Sequence, residues 1–462
     1  MCRISAILQR LLSQAHKILL IALLARLLVG CQAMAPAPSE TAVPTDFEAN
    51  TPTATASRAL PTATLMPMPP VPTAATPFPP LAELPTSEIS YLIPLTLQQV
   101  SERSAQLLFE LDHAATGDLL LRVVDQRNNY VQSIPISPNL TYQQINLGPL
   151  EPGTAYEVVL GLRTPDGSYA QPAFLGEAWG SLRFHTQPTA EPLRVGVIGD
   201  SGFGKPVTAQ LAGLMAGERL DFVIHTGDLV YKAGENASPA EAFSLKYFQP
   251  FAPLLHQLPI YPVPGNHDYA PDARVDGNPY YFHAFPPLSD PLLAAQTSSA
   301  KRQYYALVYQ NIQFIFLDSQ VFFGEEGREE QDTWLSQRLQ DDQFAYSVVI
   351  SHVPLFSSSA IHPEDSQPVQ QAWQPLFASA HVPLVLSGHS HDYERLIVDG
   401  VTYLVSGGGS DALYPLGARD PHSQAFSVSS HFVLLEFYED QIKILAIDKN
   451  GKILDQAQVP LP

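Results

Sequence analysis

The sequence predicts an α/β layered domain from about residue 192 onward, preceded by an all-β domain between about residues 88 and 187. Three observations lead to this prediction. Apolar runs alternate with helical patterns in the later part of the chain. The earlier segment has short alternating runs separated by Gly and Pro turns, which is typical of a β-sandwich. Five of the later apolar runs end in Asp, Asn or His, and open α/β sheets place functional groups at such strand ends.

Length and composition indicate a globular, secreted-type protein of two or three domains. The chain has 462 residues, of which 45% are hydrophobic and 15% charged. Its formal net charge of -20 argues against nucleic-acid binding through phosphate neutralisation, so we expect no nucleic-acid-binding domain. An acidic protein still binds an anionic substrate if a metal supplies local positive charge. The two cysteines, Cys2 and Cys31, lie at the N-terminus, which excludes thiolate metal sites elsewhere in the chain.

Residues 1–31 have the layout of a signal peptide. Basic residues precede an apolar run at 18–25, and residues 28–31 read Leu-Val-Gly-Cys, which resembles the bacterial lipobox. That resemblance implies that Cys31 is acylated and becomes the new N-terminus. The alternatives are an ordinary signal peptide or an uncleaved anchor, although the run is shorter than the ~20 residues of a transmembrane helix. We expect an exported protein, anchored by lipid in the bacterial cell envelope on the outer face of the membrane or in the periplasm.

Residues 32–86 are predicted to be a disordered linker. The segment is rich in Pro, Thr, Ala and Ser and has almost no aromatic residue. Such a composition cannot bury enough apolar surface to offset the entropy of ordering. The linker serves either as a stalk through a cell-wall layer or as a simple spacer.

Residues 87–188 form the predicted all-β domain. Its strand-like runs lie at 105–111, 119–124, 156–162 and 181–184. The segment 150–156, Leu-Glu-Pro-Gly-Thr-Ala-Tyr, is similar to the tyrosine corner of fibronectin type III domains, in which the Tyr hydroxyl bonds to nearby backbone. No convergent polar cluster is visible here, so the domain is interpreted as a scaffold.

Residues 189–462 form the predicted catalytic domain. The segments 207–218, 240–258 and 325–339 read as amphipathic helices, and apolar runs between them read as strands. The five runs that end in polar residues close at 199–202 (Gly-Asp-Ser-Gly), 227–231 (Gly-Asp-Leu-Val-Tyr), 265–268 (Gly-Asn-His-Asp), 349–352 (Val-Ile-Ser-His) and 388–391 (Gly-His-Ser-His).

These oxygen and imidazole donors predict a metal site. A ligand set without Cys favours Fe, Mn, Zn or Mg. The carboxylate of Asp228 is able to bridge two metals about 3.5–4 Å apart. Such a pair lowers the pKa of water and offsets the charge of phosphoryl oxygens.

The five blocks together resemble the motifs of purple acid phosphatases, within the calcineurin-like metallophosphoesterase superfamily. Residues 392–395, Asp-Tyr-Glu-Arg, extend the last motif as that family does. The resemblance spans about 260 residues and implies two mixed β-sheets flanked by helices. The preceding fibronectin-like domain matches the larger, two-domain members of the family.

The resemblance implies two metal sites that share Asp228. The first would be formed by Asp200, Asp228, Tyr231 and His391 and hold Fe(III), for which a phenolate is a suitable ligand. The second would be formed by Asp228, Asn266, His352 and His389 and hold Fe, Zn or Mn. Many metallophosphoesterases carry a His ligand in the first block, but that position is Gly202 here.

Three further residues are predicted to assist the reaction. The resemblance makes His267 a group that hydrogen-bonds the phosphate or the leaving oxygen, with Asp268 orienting it. His362 lies where plant-type members often carry a pair of substrate-side histidines, but its neighbour here is Ile361. The general acid therefore stays open between His267, His362 and solvent.

The predicted function is hydrolysis of small-molecule phosphate monoesters by attack of a metal-bound hydroxide. One alternative is a phosphodiesterase or nucleotidase with the same metal centre. Another, of a different class, is a surface adhesion protein with a vestigial phosphatase domain. Intact motif residues in all five blocks argue against the adhesion hypothesis.

Overall fold

The computed structural model describes residues 84–124, 132–187, 192–288, 297–299 and 302–461. The predicted signal peptide, the lipidation candidate Cys31 and residues 32–83 of the predicted linker lie outside the described residues. Within these described ranges, no helix combines the length and apolarity needed to cross a membrane.

The first segment consists of β-strands. They are β1 Thr86–Val100, β2 Ala105–Leu111, β3 Gly117–Val123, β4 Gln132–Pro135, β5 Tyr142–Leu147, β6 Ala155–Arg163, β7 Tyr169–Phe174, β8 Glu177–Ala178 and β9 Leu182–His185. Strands β5, β2 and β1 form one antiparallel ladder, and β4, β3 and β6 form another. Strand β7 joins the ladders because it pairs antiparallel with β6 and parallel with β1.

Tyr156 makes the local contact that the tyrosine-corner motif predicts. Its ring is buried at the start of β6, and its hydroxyl oxygen accepts the backbone N–H of Glu151 at 2.9 Å. The bond spans five residues and fixes the chain where it enters β6.

The second segment contains sixteen strands among its described residues. They are β10 Leu193–Ile198, β11 Phe222–His225, β12 Ile260–Pro262, β13 Arg274–Val275, β14 Asn278–Pro279, β15 Thr297–Ser298, β16 Tyr305–Tyr309, β17 Ile312–Leu317, β18 Tyr346–Ser351, β19 Leu384–Ser387, β20 Tyr393–Val398, β21 Val401–Ser406, β22 Ser423–Ser427, β23 His431–Phe437, β24 Gln441–Asp448 and β25 Ile453–Pro460.

Two mixed sheets contain fourteen of these strands, as predicted, and β13 and β14 form a separate antiparallel pair. The first has the order β12-β11-β10-β23-β24-β25, in which β10, β11 and β12 are parallel and β23 to β25 are antiparallel. The second has the order β15-β16-β17-β18-β19-β21-β20-β22, with a parallel centre from β17 to β21. Apolar runs buried on both faces are typical of such parallel centres.

Helices cover the outer faces of both sheets. They are α1 Pro206–Ala216, α2 Pro239–Phe243, α3 Gln249–Leu255, α4 Tyr281–Ala284, α5 Arg328–Leu339 and α6 Ser366–Ser379. In α6 the buried residues Val369, Trp373 and Phe377 recur every fourth position, so one face of the helix packs inward. The helix predicted over 240–258 differs, because a π-turn at Ser244–Phe248 separates α2 from α3.

The hydrophobic core has three layers in this segment. The central layer lies between the two sheets and includes Val195 and Ile224 of the first sheet and Phe314 and Ile350 of the second. A second cluster packs α1 and α3 on the first sheet, and a third packs α5 and α6 on the second sheet. This packing brings the carboxyl ends of β10, β11, β12, β18 and β19 together, and the predicted site residues follow those ends.

Candidate metal centre

The ends of five parallel strands deliver the predicted ligands. Asp200 follows β10, Asp228 follows β11 and Asn266 follows β12 in the first sheet. His352 follows β18 directly, and His389 and His391 follow β19 in the second sheet. Since carboxyl ends of parallel strands meet at one edge, residues far apart in the chain become neighbours.

Three of these residues have a left-handed backbone. The φ angles are 57° at Asp200, 57° at Asp228 and 65° at His389. A non-glycine residue in this region costs on the order of 1 kcal/mol or more and is retained where the surroundings fix it. The strained residues therefore lie at the polar ends of the strands, and their backbone conformation directs the side chains into one space.

Asp268 holds two of the motif loops against each other. Its carboxylate accepts the backbone N–H groups of Asp228 (3.0 Å), Leu229 (3.0 Å) and Gly265 (2.9 Å). Burial, together with the charge of Asp228, raises the pKa of Asp268, and the N–H groups of Gly265 and Leu229 oppose the rise. The carboxylate thus contacts backbone amides of the Asp228 and Asn266 loops, and its predicted role in orienting His267 stays a prediction.

Asp200, Tyr231 and His391 form one group of side chains. The Tyr231 hydroxyl lies 3.0 Å from Asp200 Oδ1 and 2.9 Å from His391 Nε2. His391 Nδ1 donates to the carbonyl oxygen of Ala412 at 2.5 Å. That bond leaves Nε2 of the neutral ring without a proton and facing the group.

Asn266, His352 and His389 form the second group. Asn266 Oδ1 lies 3.0 Å from His352 Nε2 and 3.1 Å from His389 Nδ1. The other nitrogen of each ring is already engaged: His352 Nδ1 is 2.8 Å from the carbonyl oxygen of Thr226, and His389 Nε2 is 3.0 Å from Asp365 Oδ2. Both engaged nitrogens face acceptors, so they carry the ring protons.

The donor chemistry of the second group fits a cation. Two unprotonated ring nitrogens and an amide oxygen converge within about one hydrogen-bond length. Three lone pairs facing one another are unfavourable unless a positive charge lies between them. Imidazole and amide oxygen are also accepted ligands of Zn, Fe and Mn.

Asp228 lies between the two groups. Its Oδ1 is 3.6 Å from His352 Nε2 and accepts the backbone N–H of His267 at 2.8 Å. Ligand atoms of Asp200, Asp228 and His352 all lie within 4.8 Å of one another, and the three residues are buried. The seven residues predicted as ligands are therefore brought together.

Burial and mutual charge shift the pKa values of these groups. Although burial opposes it, His391 and the other nearby imidazoles lower the pKa of Asp200 when they are protonated. Burial lowers the pKa of His352, and burial with the charges of Asp200 and Asp228 raises that of Tyr231 well above its usual value. A tyrosinate at this position therefore needs a cation to offset the two carboxylates.

His267 and His362 border the centre. The His267 ring is half-buried, 4.2 Å from the ring of Tyr231. The His362 ring is 5.5 Å from that of His389, and its side chain is 51% exposed. Both rings are therefore within reach of a group bound at the centre, with His267 the more enclosed.

Sequence reasoning missed the groups that surround the ligands. Phe203 stacks on Tyr231 with ring centroids 3.8 Å apart, and Tyr414 stacks on His391 at 3.9 Å. Asp365, which contacts His389, lies three residues after His362, and no motif singled it out. No sequence signal marks the carbonyl of Ala412.

Residues 193–393 match the family model described as calcineurin-like phosphoesterase. The matched range contains all seven predicted ligands.

The individual relatives are purple acid phosphatases or similar enzymes. Purple acid phosphatase 23 of Arabidopsis thaliana is 25% identical over 311 residues, which cover 61% of this chain and 64% of the relative. Phosphoenolpyruvate phosphatase of Allium cepa is 27% identical over 251 residues, covering 52% of this chain and 50% of the relative. The chain thus spans about half to two thirds of these curated relatives.

A solved structure supports the fold. Purple acid phosphatase PPD1 from yellow lupin (Lupinus luteus) seeds aligns with a TM-score of 0.61 at 16% identity. The alignment covers 79% of this chain and 74% of the lupin chain. The described residues therefore share a fold with this phosphatase, and the chain is similar in sequence to purple acid phosphatases.

Proposed function

We propose that the protein hydrolyses phosphate monoesters at a binuclear metal centre. The observation that carries this proposal is the convergence of unprotonated His352 Nε2 and His389 Nδ1 on Asn266 Oδ1, beside the buried carboxylate of Asp228. The similarity to purple acid phosphatases supports the reaction class.

The seven clustered residues would hold two ions. The first ion would be held by Asp200, Tyr231 and His391, and the second by Asn266, His352 and His389. Asp228 would bind both ions. We propose Fe(III) at the first site, because a tyrosinate is a hard anionic donor, and Fe, Zn or Mn at the second. When bound, such ions lower the pKa of a water and offset the charge of phosphoryl oxygens.

The chain's own residues orient the ester and supply the proton. We propose that His267 protonates the leaving oxygen, because its ring adjoins Tyr231 and is more enclosed than His362. His362 would contact the outer part of the substrate. General acid catalysis contributes typically about 10²–10⁴-fold.

Leaving-group dependence tests the assignment of the acid. An alkoxide needs protonation far more than a nitrophenolate, so His267→Gln should slow an alkyl phosphate much more than p-nitrophenyl phosphate. His362→Gln is the matched comparison and should slow both esters by similar factors. If His362→Gln instead slows the alkyl phosphate much more than p-nitrophenyl phosphate, His362 is the general acid. If each variant slows both esters by similar factors, solvent supplies the proton.

Turnover of a monoester and a diester tests the reaction class. The metal-loaded protein should hydrolyse p-nitrophenyl phosphate faster than bis(p-nitrophenyl) phosphate, and Asp228→Asn should abolish both activities. Asn tolerates the left-handed backbone at this position, so the variant changes the ligand and not the turn. Faster diester turnover would support the phosphodiesterase alternative, and an inactive, metal-free protein would support the adhesion alternative.

Visible absorption tests the iron assignment. Tyrosinate bound to Fe(III) absorbs visible light, and Tyr231→Phe should remove the band while the fold is retained. A colourless, active, metal-loaded wild-type protein would contradict iron at the first site.

We further propose that the mature protein is exported and tethered through acylated Cys31, with residues 32–86 as the linker and the all-β segment as a fibronectin type III-like scaffold. The lipobox-like residues 28–31 support the anchor, and the Tyr156 contact supports the scaffold. Cys31→Ala should release the protein from membranes. Continued sedimentation of that variant with membranes would contradict the anchor.

A further inference from the structure

Asp365 lies at the end of a short turn beside the candidate second metal site. The 3₁₀ turn Pro363–Asp365 follows His362 and leads into α6 at Ser366. An Asp before the first residue of a helix ordinarily accepts a backbone N–H of the first turn. Here the side chain makes no such capping bond.

The carboxylate is directed at His389 instead. Asp365 Oδ2 lies 3.0 Å from His389 Nε2, whereas the Asp365 side chain is 29% exposed and that of His389 only 9% exposed. The dipole of the 14-residue helix α6 favours a negative charge at this end. The ionised form of Asp365 is the form that accepts the His389 N–H.

This bond fixes the ring orientation of His389. The backbone of His389 is held in the left-handed region, and its N–H donates to Asp200 Oδ2 at 2.9 Å. The ring can still turn about the Cβ–Cγ bond, and a half turn would place Cδ2 where Nδ1 lies and Cε1 where Nε2 lies. Asp365 binds Nε2–H, so the unprotonated Nδ1 is the atom that faces Asn266 Oδ1 at 3.1 Å.

The other two ring ligands are fixed differently. His352 is held through the carbonyl of Thr226 and His391 through the carbonyl of Ala412. Both present Nε2 to the centre. His389 presents Nδ1 and is held by a side chain, so its orientation depends on a residue that mutation can remove without touching the backbone.

We propose that Asp365 is a positioning residue that selects the Nδ1-facing orientation of His389 and thereby sets the affinity of the second metal site. The inference rests on the proposed binuclear function. Carboxylates that bind the far nitrogen of a ligating histidine typically contribute about 10–100-fold to metal affinity. Asp365 also lies 3.9 Å from His362 Nδ1, so the same carboxylate borders the substrate side of the centre.

Metal titration of the stripped protein tests the proposal. Wild type, Asp365→Ala, Asp365→Asn and Glu364→Gln are titrated with Zn²⁺ against a chromophoric chelator, and bound ions are counted by mass spectrometry. Wild type should bind two ions. Asp365→Ala should keep one tight ion and bind the second about 10-fold or more weakly, because His389 no longer has a fixed orientation.

The other variants separate orientation from charge and from folding. Asp365→Asn keeps an oxygen that accepts the His389 N–H and should lie between wild type and Asp365→Ala. Glu364→Gln removes an exposed charge one residue away and should titrate like wild type. Melting temperatures of the metal-free proteins should agree, whereas the rise on adding Zn²⁺ should be smaller for Asp365→Ala.

Two results would overturn the proposal in distinguishable ways. If wild type and Asp365→Ala bind two ions equally well, Asp365 has no positioning role, and the proposed function stands. If wild type itself binds fewer than two ions, the binuclear function fails and this inference fails with it.

Discussion

Gly202 shows at the residue scale why the first block contributes a single ligand. A Cβ at this position would lie 2.3 Å from the backbone carbonyl carbon and oxygen of Leu229. Any side chain would therefore displace the loop that carries Asp228. Tyr231 occupies the adjoining space, with its backbone N–H bonded to the Gly202 carbonyl at 2.9 Å.

Substitution of Gly202 should consequently disturb the metal centre. Gly202→Ala is expected to lower the melting temperature and weaken metal binding, because the added Cβ would clash with backbone atoms of Leu229, which cannot rotate away. Gly213→Ala in α1 is the matched control, since a Cβ there meets no atom within 4 Å and helix interiors favour Ala over Gly. Equal melting temperatures for Gly202→Ala and wild type would contradict this account of the turn.

His225 illustrates the effect of burial on a group outside the ligand set. Its Nδ1 accepts the N–H of Gly227 at 3.2 Å, and its Nε2 lies 2.8 Å from Ser201 Oγ. Burial lowers the pKa of His225 to about 4. The usual value of about 6.5 applies to the unfolded chain, so the unfolded chain takes up the proton first as the pH falls.

Stability should therefore decline between pH 6.5 and pH 4. Protonation of His225 should lower the free energy of unfolding by roughly 2 kcal/mol between pH 7 and pH 5. Denaturant unfolding of the metal-free protein measures it, and His225→Asn should reduce the loss by that amount. An equal pH dependence in wild type and His225→Asn would contradict the assigned shift.

The sequence identified which residues lie at the centre but not how their rings are turned. Each ring orientation depends on a partner elsewhere in the chain, such as Thr226 for His352 and Ala412 for His391. Backbone carbonyls carry no sequence signature, so these contacts become visible only in three dimensions.

At the scale of elements, Asp268 links the loops that follow two neighbouring strands, β11 and β12. The three backbone N–H groups that it accepts belong to the Asp228 and Asn266 loops. The three residues are buried, so loss of the carboxylate would leave these N–H groups without an acceptor. The geometry of the centre is thus set before any metal binds.

Asp268→Asn should lower the stability of the metal-free protein. The amide replaces one accepting oxygen with an NH₂ group that faces a buried N–H, which costs on the order of 2 kcal/mol. Denaturant unfolding of the stripped variant measures this cost, and Asp276→Asn at an exposed position is the control. A metal-free variant as stable as wild type would show that the three N–H bonds do not hold the loops.

Hydrophobic patterns in the sequence predicted the strand ends and most helices, but they did not predict the break between α2 and α3. Pro250 and Pro253 lie in the predicted helix 240–258. Proline lacks the N–H of the helical ladder, and the chain responds with the π-turn at Ser244–Phe248. The periodic pattern continued through this region and concealed the change in helical form.

At the scale of the molecule, the all-β and α/β segments share one hydrophobic cluster. Phe174 packs edge-on against Phe248 with ring centroids 6.5 Å apart, and Trp179 packs against His256 at 4.5 Å. Polar contacts reinforce the junction: His283 Nε2 lies 2.7 Å from Glu110 Oε2. No pattern in either segment alone predicted this interface, since it depends on the fit of two surfaces.

The two segments should therefore unfold together. Calorimetry is expected to show a single transition, and Phe248→Ala should lower its temperature without splitting it. The variant removes a buried aromatic side chain, which typically costs about 3–5 kcal/mol. Two separate transitions in wild type would contradict a shared core.

Anomalous diffraction from crystals of the metal-loaded protein tests the central claim most directly. We predict two metal peaks about 3.5–4 Å apart, with one oxygen of the Asp228 carboxylate group directed at each. Asn266, His352 and His389 should surround one peak, and Asp200, Tyr231 and His391 the other. A single peak, or two peaks that do not share Asp228, would contradict the binuclear centre on which the proposed hydrolysis depends.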